Sequence, residues 1–305
     1  MESMQPKVTI IMTSYNYARY IGEAIKSILN QTYDNWELII VDDGSTDESL
    51  MVIEEYKNNK PEKISLLIHP ENKNCGIKET LELGLSQVRG DYIAFLESDD
   101  AWQPDYLAKK LMVFEGGNEI SLVYSDLEPL ASQIPNKYKD YIEYSRYIGF
   151  LSGGKPFTPN KYLWLRNPVV SFSNIMIRAS LLKFIELKKE FEIWSDWRVI
   201  MTAALTGKFY YVPKKLLKWR IHQESANSNF MSQNNQYLSG SMFKIDMLKF
   251  VSEYCQRTGN SELMLDTLSQ TLSIRAHFFR ILHDFGFALY APVSALRQAL
   301  NLIKN

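Results

Sequence analysis

Four groups of residues in this chain have the types and spacing that chemistry needs. Thr13-Ser14-Tyr15-Asn16 and Asp42-Asp43-Gly44-Ser45 each close an apolar run, Val8–Met12 and Leu38–Val41. A nucleotide base needs an aromatic face to stack on and an acceptor for its ring N–H, and Tyr15 with Asp42 offers both. The plainer alternative is a polar turn in which Asp43 and Ser45 cap a helix. Glu97-Ser98-Asp99-Asp100 follows a third apolar run, Tyr92–Leu96. Such an oxygen-rich cluster suits a hard divalent cation, Mn²⁺ or Mg²⁺, bridging a diphosphate and neutralising a leaving group. Its alternative is an acidic first turn ahead of the Pro104 helix. Trp194-Ser195-Asp196-Trp197-Arg198 places one carboxylate at a helix start, where it serves either as a base or as a cap. Arg220 and His222, two apart on a strand, share a face. They suit a diphosphate and a cation, or else are a solvated arginine and a core histidine.

The elements that position these groups follow from periodicity. Between the first two runs, Ile21, Ile25, Ile28 and Leu29 repeat at helical spacing. Residues 8–49 therefore read as a βαβ unit with a parallel strand pair. In open parallel sheets ligands bind beyond the carboxyl ends of the strands, where both polar groups fall. Thr46–Asn59 reads as a helix with Ser45 and Glu48 as a capping box. Ile64–Ile68 is a strand, Gly76–Val88 a helix, and Tyr92–Leu96 an apolar, central strand. Pro104 opens a helix to Phe114, and Leu122–Tyr124 is a short strand. The expectation is a parallel α/β sheet of four or five strands. Glu128–Pro168 reads as an irregular insert with a helix over Tyr138–Phe150. A strand over Ser173–Ile177 and a helix from Ala179 follow. Beyond them come a helix over Asp196–Leu205 and strands over Lys208–Val212 and Leu216–Ile221. Helices are expected over Met242–Cys255, Glu262–His283 and Val293–Ile303.

Ser14-Tyr15-Asn16, Asn30-Gln31-Thr32 and Asp42-Asp43-Gly44-Ser45, in that order, resemble the opening of the inverting GT-A glycosyltransferases of family 2. The likeness is close over about the first hundred residues and loose to about Asn227. It implies a GT-A catalytic domain over 1–227, with a nucleotide-sugar half (1–126) and an acceptor half (127–227), then a helical extension over 228–305. It implies that Thr13, Tyr15 and Asp42 hold the uracil or thymine of a nucleotide-sugar. The wider nucleotide set adds Asp43, Lys78, Glu97, Ser98 and Arg220. The family's D-x-D motif assigns the metal to Asp99 first and Asp100 next, with Glu97 where aspartate is usual and suited to a ribose hydroxyl. The family's R-x-H-x-x-S pattern adds His222 as a ligand. An E-D dipeptide at a helix start carries the catalytic base in the family. Here Ser195 replaces the glutamate and Asp196 keeps its place as the candidate base.

Two departures from the pattern matter. The family's A-R-N-x-G-L is Thr80-Leu81-Glu82-Leu83-Gly84-Leu85 here, so the Arg-Asn pair is gone. Lys78 is the substitute charge on offer, a solvated helix lysine being the plainer reading. Asp126 either faces the acceptor or caps a loop. Tyr138, Tyr141, Tyr144, Tyr147, Trp164, Trp194 and Trp197 place sugar-stacking rings, or ordinary packing, in the acceptor half.

The net charge of −1 argues against a nucleic-acid partner. Cys75 and Cys255 lack metal-ligand spacing and read as intracellular thiols. Met1–Lys7 carries no apolar leader, and no stretch reaches eighteen apolar residues. A cytoplasmic protein is expected, acting freely or at the inner face of the membrane. The amphipathic Val293–Ile303 helix is open to packing, self-association into a homo-oligomer, or membrane contact. The resemblance implies inverting transfer from a nucleotide-diphosphate donor, a UDP-sugar foremost, to an acceptor hydroxyl. The acceptor would be a glycan, lipid-linked glycan or glycoprotein in bacterial polysaccharide, capsule, lipopolysaccharide or glycoprotein assembly. The rivals are a non-catalytic sugar-binding or scaffold member and a nucleotidyltransferase. The latter usually opens with a glycine-rich phosphate loop, whereas the first glycine here is Gly22.

Overall fold

The computed structural model describes residues 5–131, 133–158, 167–222, 246 and 249–255. The chain divides into two units, Met1–His222 and Gln223–Asn305. In the second, 246 and 249–255 are helical. The helices expected over Glu262–His283 and Val293–Ile303 lie outside the described residues, as does Trp164.

The first unit is built on an eight-stranded mixed sheet, in the order β3-β2-β1-β4-β7-β6-β8-β5. Its parallel half comprises β1 (Val8–Ser14), β2 (Trp36–Asp42), β3 (Ile64–Ile68) and β4 (Tyr92–Phe95). These runs are apolar on both faces because helices cover both sides. Helix α1 (Ala18–Leu29) buries Ile21, Ala24, Ile25 and Ile28 on one stripe against that sheet. Each such isoleucine contributes about 1.5–3 kcal/mol over an exposed one. Helices α2 (Ser49–Asn59), α3 (Ile77–Leu85) and α4 (Tyr106–Glu115) complete the donor half.

The other half is not parallel throughout, unlike the expectation. Strand β7 (Met176–Arg178) runs antiparallel between β4 and β6 (Ile120–Leu130). Strand β8 (Lys208–Arg220) is parallel to β6, and the two-residue β5 (Ala101–Trp102) is antiparallel to β8. The two strands expected over 208–221 are therefore one. Pro213, which has no N–H for the ladder, is absorbed in a bulge: Ser125 pairs with Val212, and the next residue, Asp126, with Lys215. β6 reaches Leu130, well past Tyr124, because β8 supplies a partner along its length. The strand expected from Ser173 begins at Met176, since Phe172–Asn174 is a 3-10 turn capped by Ser171. The helix expected from Ala179 is a 3-10 turn, Ala179–Phe184. Helices α5 (Asn136–Leu151) and α6 (Ser195–Thr206) pack on this half.

The capping box expected of Ser45 and Glu48 does not form. Helix α2 starts at Ser49 with no side-chain cap from Glu48. The Ser45 hydroxyl instead donates to Asp42 Oδ2 at 2.6 Å and accepts the Asn16 amide at 2.9 Å.

Candidate active site

The parallel register sets Ser14 beside Asp42 and Ile11 beside Phe95. The polar segments after β1, β2 and β4 thus leave the sheet along one edge. Two of them are knit together. Asp42 is fully buried, and its carboxylate accepts the Ser45 amide at 2.8 Å as well as the hydroxyl. Asn16, at a φ of 58°, accepts the Thr46 amide at 2.8 Å on its Oδ1. Ser98 donates to the Thr13 carbonyl at 2.5 Å, which ties the acidic segment to the same edge. Tyr15 is left 45% exposed at this edge, and an exposed aromatic ring can serve as a stacking surface.

Two members of the expected nucleotide set are occupied elsewhere. The Asp43 carboxylate accepts the amides of Cys75 (2.7 Å) and Gly76 (3.0 Å), which caps α3. Lys78 pairs with Glu82 at 2.7 Å along α3, the ordinary helix-surface role. Asp126 is held by Arg146 Nε at 2.8 Å, which ties α5 to β6.

The acidic segment is assembled from distant parts of the chain. The β5–β8 pairing brings Ala101 opposite Lys218 and so carries β8's end alongside Asp99 and Asp100. Asp100 Oδ1 accepts the Arg220 amide at 2.8 Å, and Arg220 Nε donates to the Asp99 carbonyl at 2.8 Å. His222 Nε2 lies 2.9 Å from Asp99 Oδ2. The Arg220 guanidinium also reaches Glu23 at 2.5 Å and lies 4.8 Å over the Tyr20 ring, so α1 fixes its position. Ser171 Oγ lies 3.2 Å from Asp100 Oδ2 and 3.3 Å from Glu97 Oε2, and the Glu97 amide donates to Ser173 Oγ at 3.0 Å.

The electrostatics show a site short of positive charge. Burial, then the Asp99 carboxylate, pushes Asp100 up to about 8. Glu97 is raised well above the usual carboxylate range by burial and by Asp99, Asp100 and Asp196. The Glu97 side chain keeps access to solvent. Asp196, in the first turn of α6, is pushed up to about 6 by burial, against the pull of nearby backbone amides. Its charge adds to the rise of Glu97. Trp194 and Trp197 flank it, their ring centroids 5.6 Å apart. Clustered carboxylates, with an imidazole 2.9 Å from one of them, fit a hard divalent cation in donor type and in charge. Asp99, Asp100 and His222 are the residues that would hold it.

The backing of this cluster was not foreseen from sequence. Lys110 is fully buried and donates to the Asn174 and Val123 carbonyls. Burial holds its ammonium well below the ordinary lysine range. Trp102 Nε1 and the Tyr106 hydroxyl donate to the Ser173 carbonyl at 2.8 and 3.0 Å. The 171–174 turn is thus pinned from behind while its serines face the carboxylates. One signal was available: Lys110 interrupts the apolar stripe of Leu107, Leu111 and Phe114. A second unforeseen link is Lys189. It bridges Glu79 (3.0 Å), Glu192 (2.8 Å) and the Cys75 carbonyl (2.8 Å), joining α3 to the turn that leads into Asp196. Of the acceptor-half aromatics, Tyr138 packs edge-on against Trp219 at 5.3 Å and Tyr141 donates to the Val169 carbonyl, whereas Tyr147 is exposed.

Comparison with known proteins agrees with this geometry. The family model described as Glycosyl transferase family 2 matches residues 9–185, more than half of the chain. A putative glycosyltransferase of Bacillus subtilis (strain 168), EpsH, is 34% identical over 231 residues, 72% of this chain and 62% of that one. Among solved structures, S. aureus TarS 1-349 in complex with UDP-GlcNAc superposes with a TM-score of 0.64 at 18% identity, over 97% of this chain and 79% of that one. A mannosyltransferase from Pyrobaculum calidifontis, PcManGT, in complex with GDP-Man and Mn²⁺, gives 0.61 at 16% identity, over 99% and 86%. No helix among the described residues is long and apolar enough to cross a membrane. The chain belongs to glycosyl transferase family 2 and is a glycosyltransferase of the GT-A fold.

Proposed function

We propose that this enzyme transfers one sugar from a UDP-sugar to an acceptor hydroxyl, with inversion at the anomeric carbon. The observation that carries this reading is the common sheet edge. Tyr15 and the 97–100 segment follow β1 and β4 at the carboxyl ends of the parallel strands, tied by the Ser98 bond to the Thr13 carbonyl, and Arg220 and His222 meet that segment from the end of β8. The Asp196 carboxylate is near enough to raise Glu97. Tyr15 stacks on the base, and the buried Asp42 turn shapes the base-edge pocket. Glu97 takes a ribose hydroxyl. Asp99, Asp100 and His222 hold a divalent cation, Mn²⁺ or Mg²⁺, whose chemistry is to neutralise the charge that builds on the departing diphosphate. Arg220, anchored by Glu23 and Tyr20, adds a fixed positive charge on the same side.

Asp196 removes the proton from the acceptor hydroxyl as its oxygen attacks the anomeric carbon. An acid constant near 6 favours this role: the carboxylate is ionised at neutral pH yet more basic than an ordinary aspartate. The Trp194 and Trp197 rings border the path of the incoming sugar. The acceptor is a glycan, lipid-linked glycan or glycoprotein of bacterial surface-polymer assembly, a class that follows from the family resemblance.

The test is a panel of UDP-, GDP- and dTDP-sugars with Mn²⁺, followed by NMR of the product linkage. The expected result is turnover with a UDP-sugar and an anomeric configuration opposite to the donor's. A GDP-sugar as preferred donor would overturn the base assignment, and retained configuration would overturn the role of Asp196.

A further inference from the structure

A second group of ligating side chains lies at the start of α3, on residues that the transfer reaction does not use. One carboxylate oxygen of Asp43, one ring nitrogen of His69 and the Cys75 sulfur all lie within 4.8 Å of one another. Asp43 and His69 are buried and Cys75 is half-buried. The Asp43 Oδ1 to His69 Nε2 separation is 3.7 Å. Capping of α3 explains Asp43 alone; the cap gives no reason for an imidazole and a thiol to converge on the same carboxylate.

The group is arranged in advance. Between His69 and Cys75 the chain turns back through Glu71 and Asn72, both with left-handed backbone, at φ of 56° and 49°. The following loop lies directly on the Asp42–Ser45 turn. A Cβ on Gly44, itself at φ 78°, would stand 2.7 Å from the backbone at Lys73 and Asn74. Both buried side chains are held in place before any ion binds. The Thr80 hydroxyl lies 2.9 Å from His69 Nε2, a contact that the ion would replace, and Asp43 accepts the Cys75 and Gly76 amides. Outer bonds such as those to Asp43 fix metal ligands elsewhere. A carboxylate accepts at about four positions, so those amides leave Asp43 with a lone pair to give.

The donor set differs from that of the acidic cleft. Thiolate, imidazole and carboxylate together form a borderline-soft set that favours Zn²⁺ over Mg²⁺ or Mn²⁺. Bonds of about 2.0–2.3 Å in a tetrahedral zinc site put ligand atoms roughly 3.3–3.8 Å apart. The 3.7 Å pair already lies in that range, and the sulfur needs only a small shift. We propose that Asp43, His69 and Cys75 form a zinc-type site with one position left for water, distinct from the Mn²⁺ or Mg²⁺ site of the cleft. Sequence spacing hides it because Asp43 lies 26 residues ahead of the loop that carries His69 and Cys75, and neither cysteine has a second cysteine nearby. The proposal stands independently of the transfer mechanism.

The experiment uses the full chain, stripped with chelator and titrated with Zn²⁺ alone by calorimetry and with Co²⁺ by absorption. We expect one equivalent of Zn²⁺, a thiolate-to-Co²⁺ charge-transfer band, and a rise in melting temperature with Zn²⁺. Cys75→Ser, nearly isosteric, should abolish the band and weaken Zn²⁺ by at least about tenfold. Cys255→Ser and Asp99→Ala should change neither. His69→Gln should weaken Zn²⁺ similarly, its folding checked by circular dichroism; if it does not fold, Cys75→Ser decides. Zn²⁺ affinity unchanged in Cys75→Ser, or a band lost in Cys255→Ser instead, would overturn the proposal. So would Zn²⁺ binding lost in Asp99→Ala, which would place the ion in the acidic cleft.

Discussion

The donor-side turns and the acidic cleft lie along one sheet edge but are held together in different ways. In the turns around Asp42 and Asn16 every charged oxygen with a structural partner meets an amide or hydroxyl a short distance away. In the cleft, Asp99, Asp100 and Asp196 all raise Glu97, and the basic side chains that meet Asp99 among the described residues, Arg220 and His222, sit at the end of β8. The turns are satisfied by the protein itself; the cleft holds an excess of negative charge that a ligand can offset. Stability is therefore concentrated in the first region and function in the second, where groups are tuned at a cost to the unliganded fold.

That contrast can be broken at three points. The largest effect is expected in the cleft. Removing divalent ions with EDTA, or making Asp99→Ala, should lower transfer by several kcal/mol, about 10³-fold, because the developing diphosphate charge loses its partner. The melting temperature of Asp99→Ala should stay close to wild type. Activity assays with Mn²⁺ or Mg²⁺ added back, beside a thermal melt, check both halves of the statement. A variant that loses activity by unfolding would erase the distinction between the regions.

Next in size is the turn. Asp42→Ala strands the buried Ser45 amide and hydroxyl, so it should cost about 1–3 kcal/mol of folding stability. UDP affinity should fall with it, since the turn shapes the base pocket. Denaturant melts and calorimetry on the same preparation give both numbers. Wild-type stability would mean that the turn is held by something other than this carboxylate.

The third effect has the opposite sign. Asp100 has a folded-state acid constant of about 8 against an ordinary 3.8. The folded protein thus binds more protons than the unfolded chain between those values. The stability linked to this group is fully present below the unfolded value and is lost as pH rises through about 8. Metal-free enzyme should therefore melt at lower temperature as pH rises from 5 to 8. Asp100→Asn, which keeps an acceptor for the Arg220 amide, should flatten that slope and modestly stabilise the metal-free protein at pH 8. A slope unchanged by the substitution would remove Asp100 as its source.

The two regions also differ in how far they could be read from sequence. The βαβ opening was legible because Val8–Met12, the Ile21–Ile28 stripe and Leu38–Val41 each carry their own periodicity. Tyr15 and the 97–100 cluster were legible for the same reason, as they terminate such runs. What sequence did not reveal depends on long-range pairing. Two-residue β5 has no periodicity to detect, and β8 looks like two strands because Pro213 interrupts it. Ser171, Ser173 and Lys110 acquire their roles only when β7 is threaded antiparallel between β4 and β6. Asp43 also meets the Cys75 and Gly76 amides and Asp126 meets Arg146, contacts that no local pattern predicts.

The most direct test of the account concerns Asp196. Asp196→Asn keeps the shape and most hydrogen bonds of the side chain but cannot take a proton. It should lower kcat by about 10²–10⁴ while UDP affinity stays nearly unchanged. The wild-type rate should fall on the acid side through about pH 6, because a protonated carboxyl is no base. The Asn variant should lose that limb of the profile. If Asp196 merely caps α6, the substitution should instead cost about 1 kcal/mol or less of stability, with near-normal turnover and an unaltered pH profile. Measuring kcat from pH 5 to 8 and UDP affinity on one preparation of each protein separates the two outcomes, and turnover close to wild type would contradict the central claim.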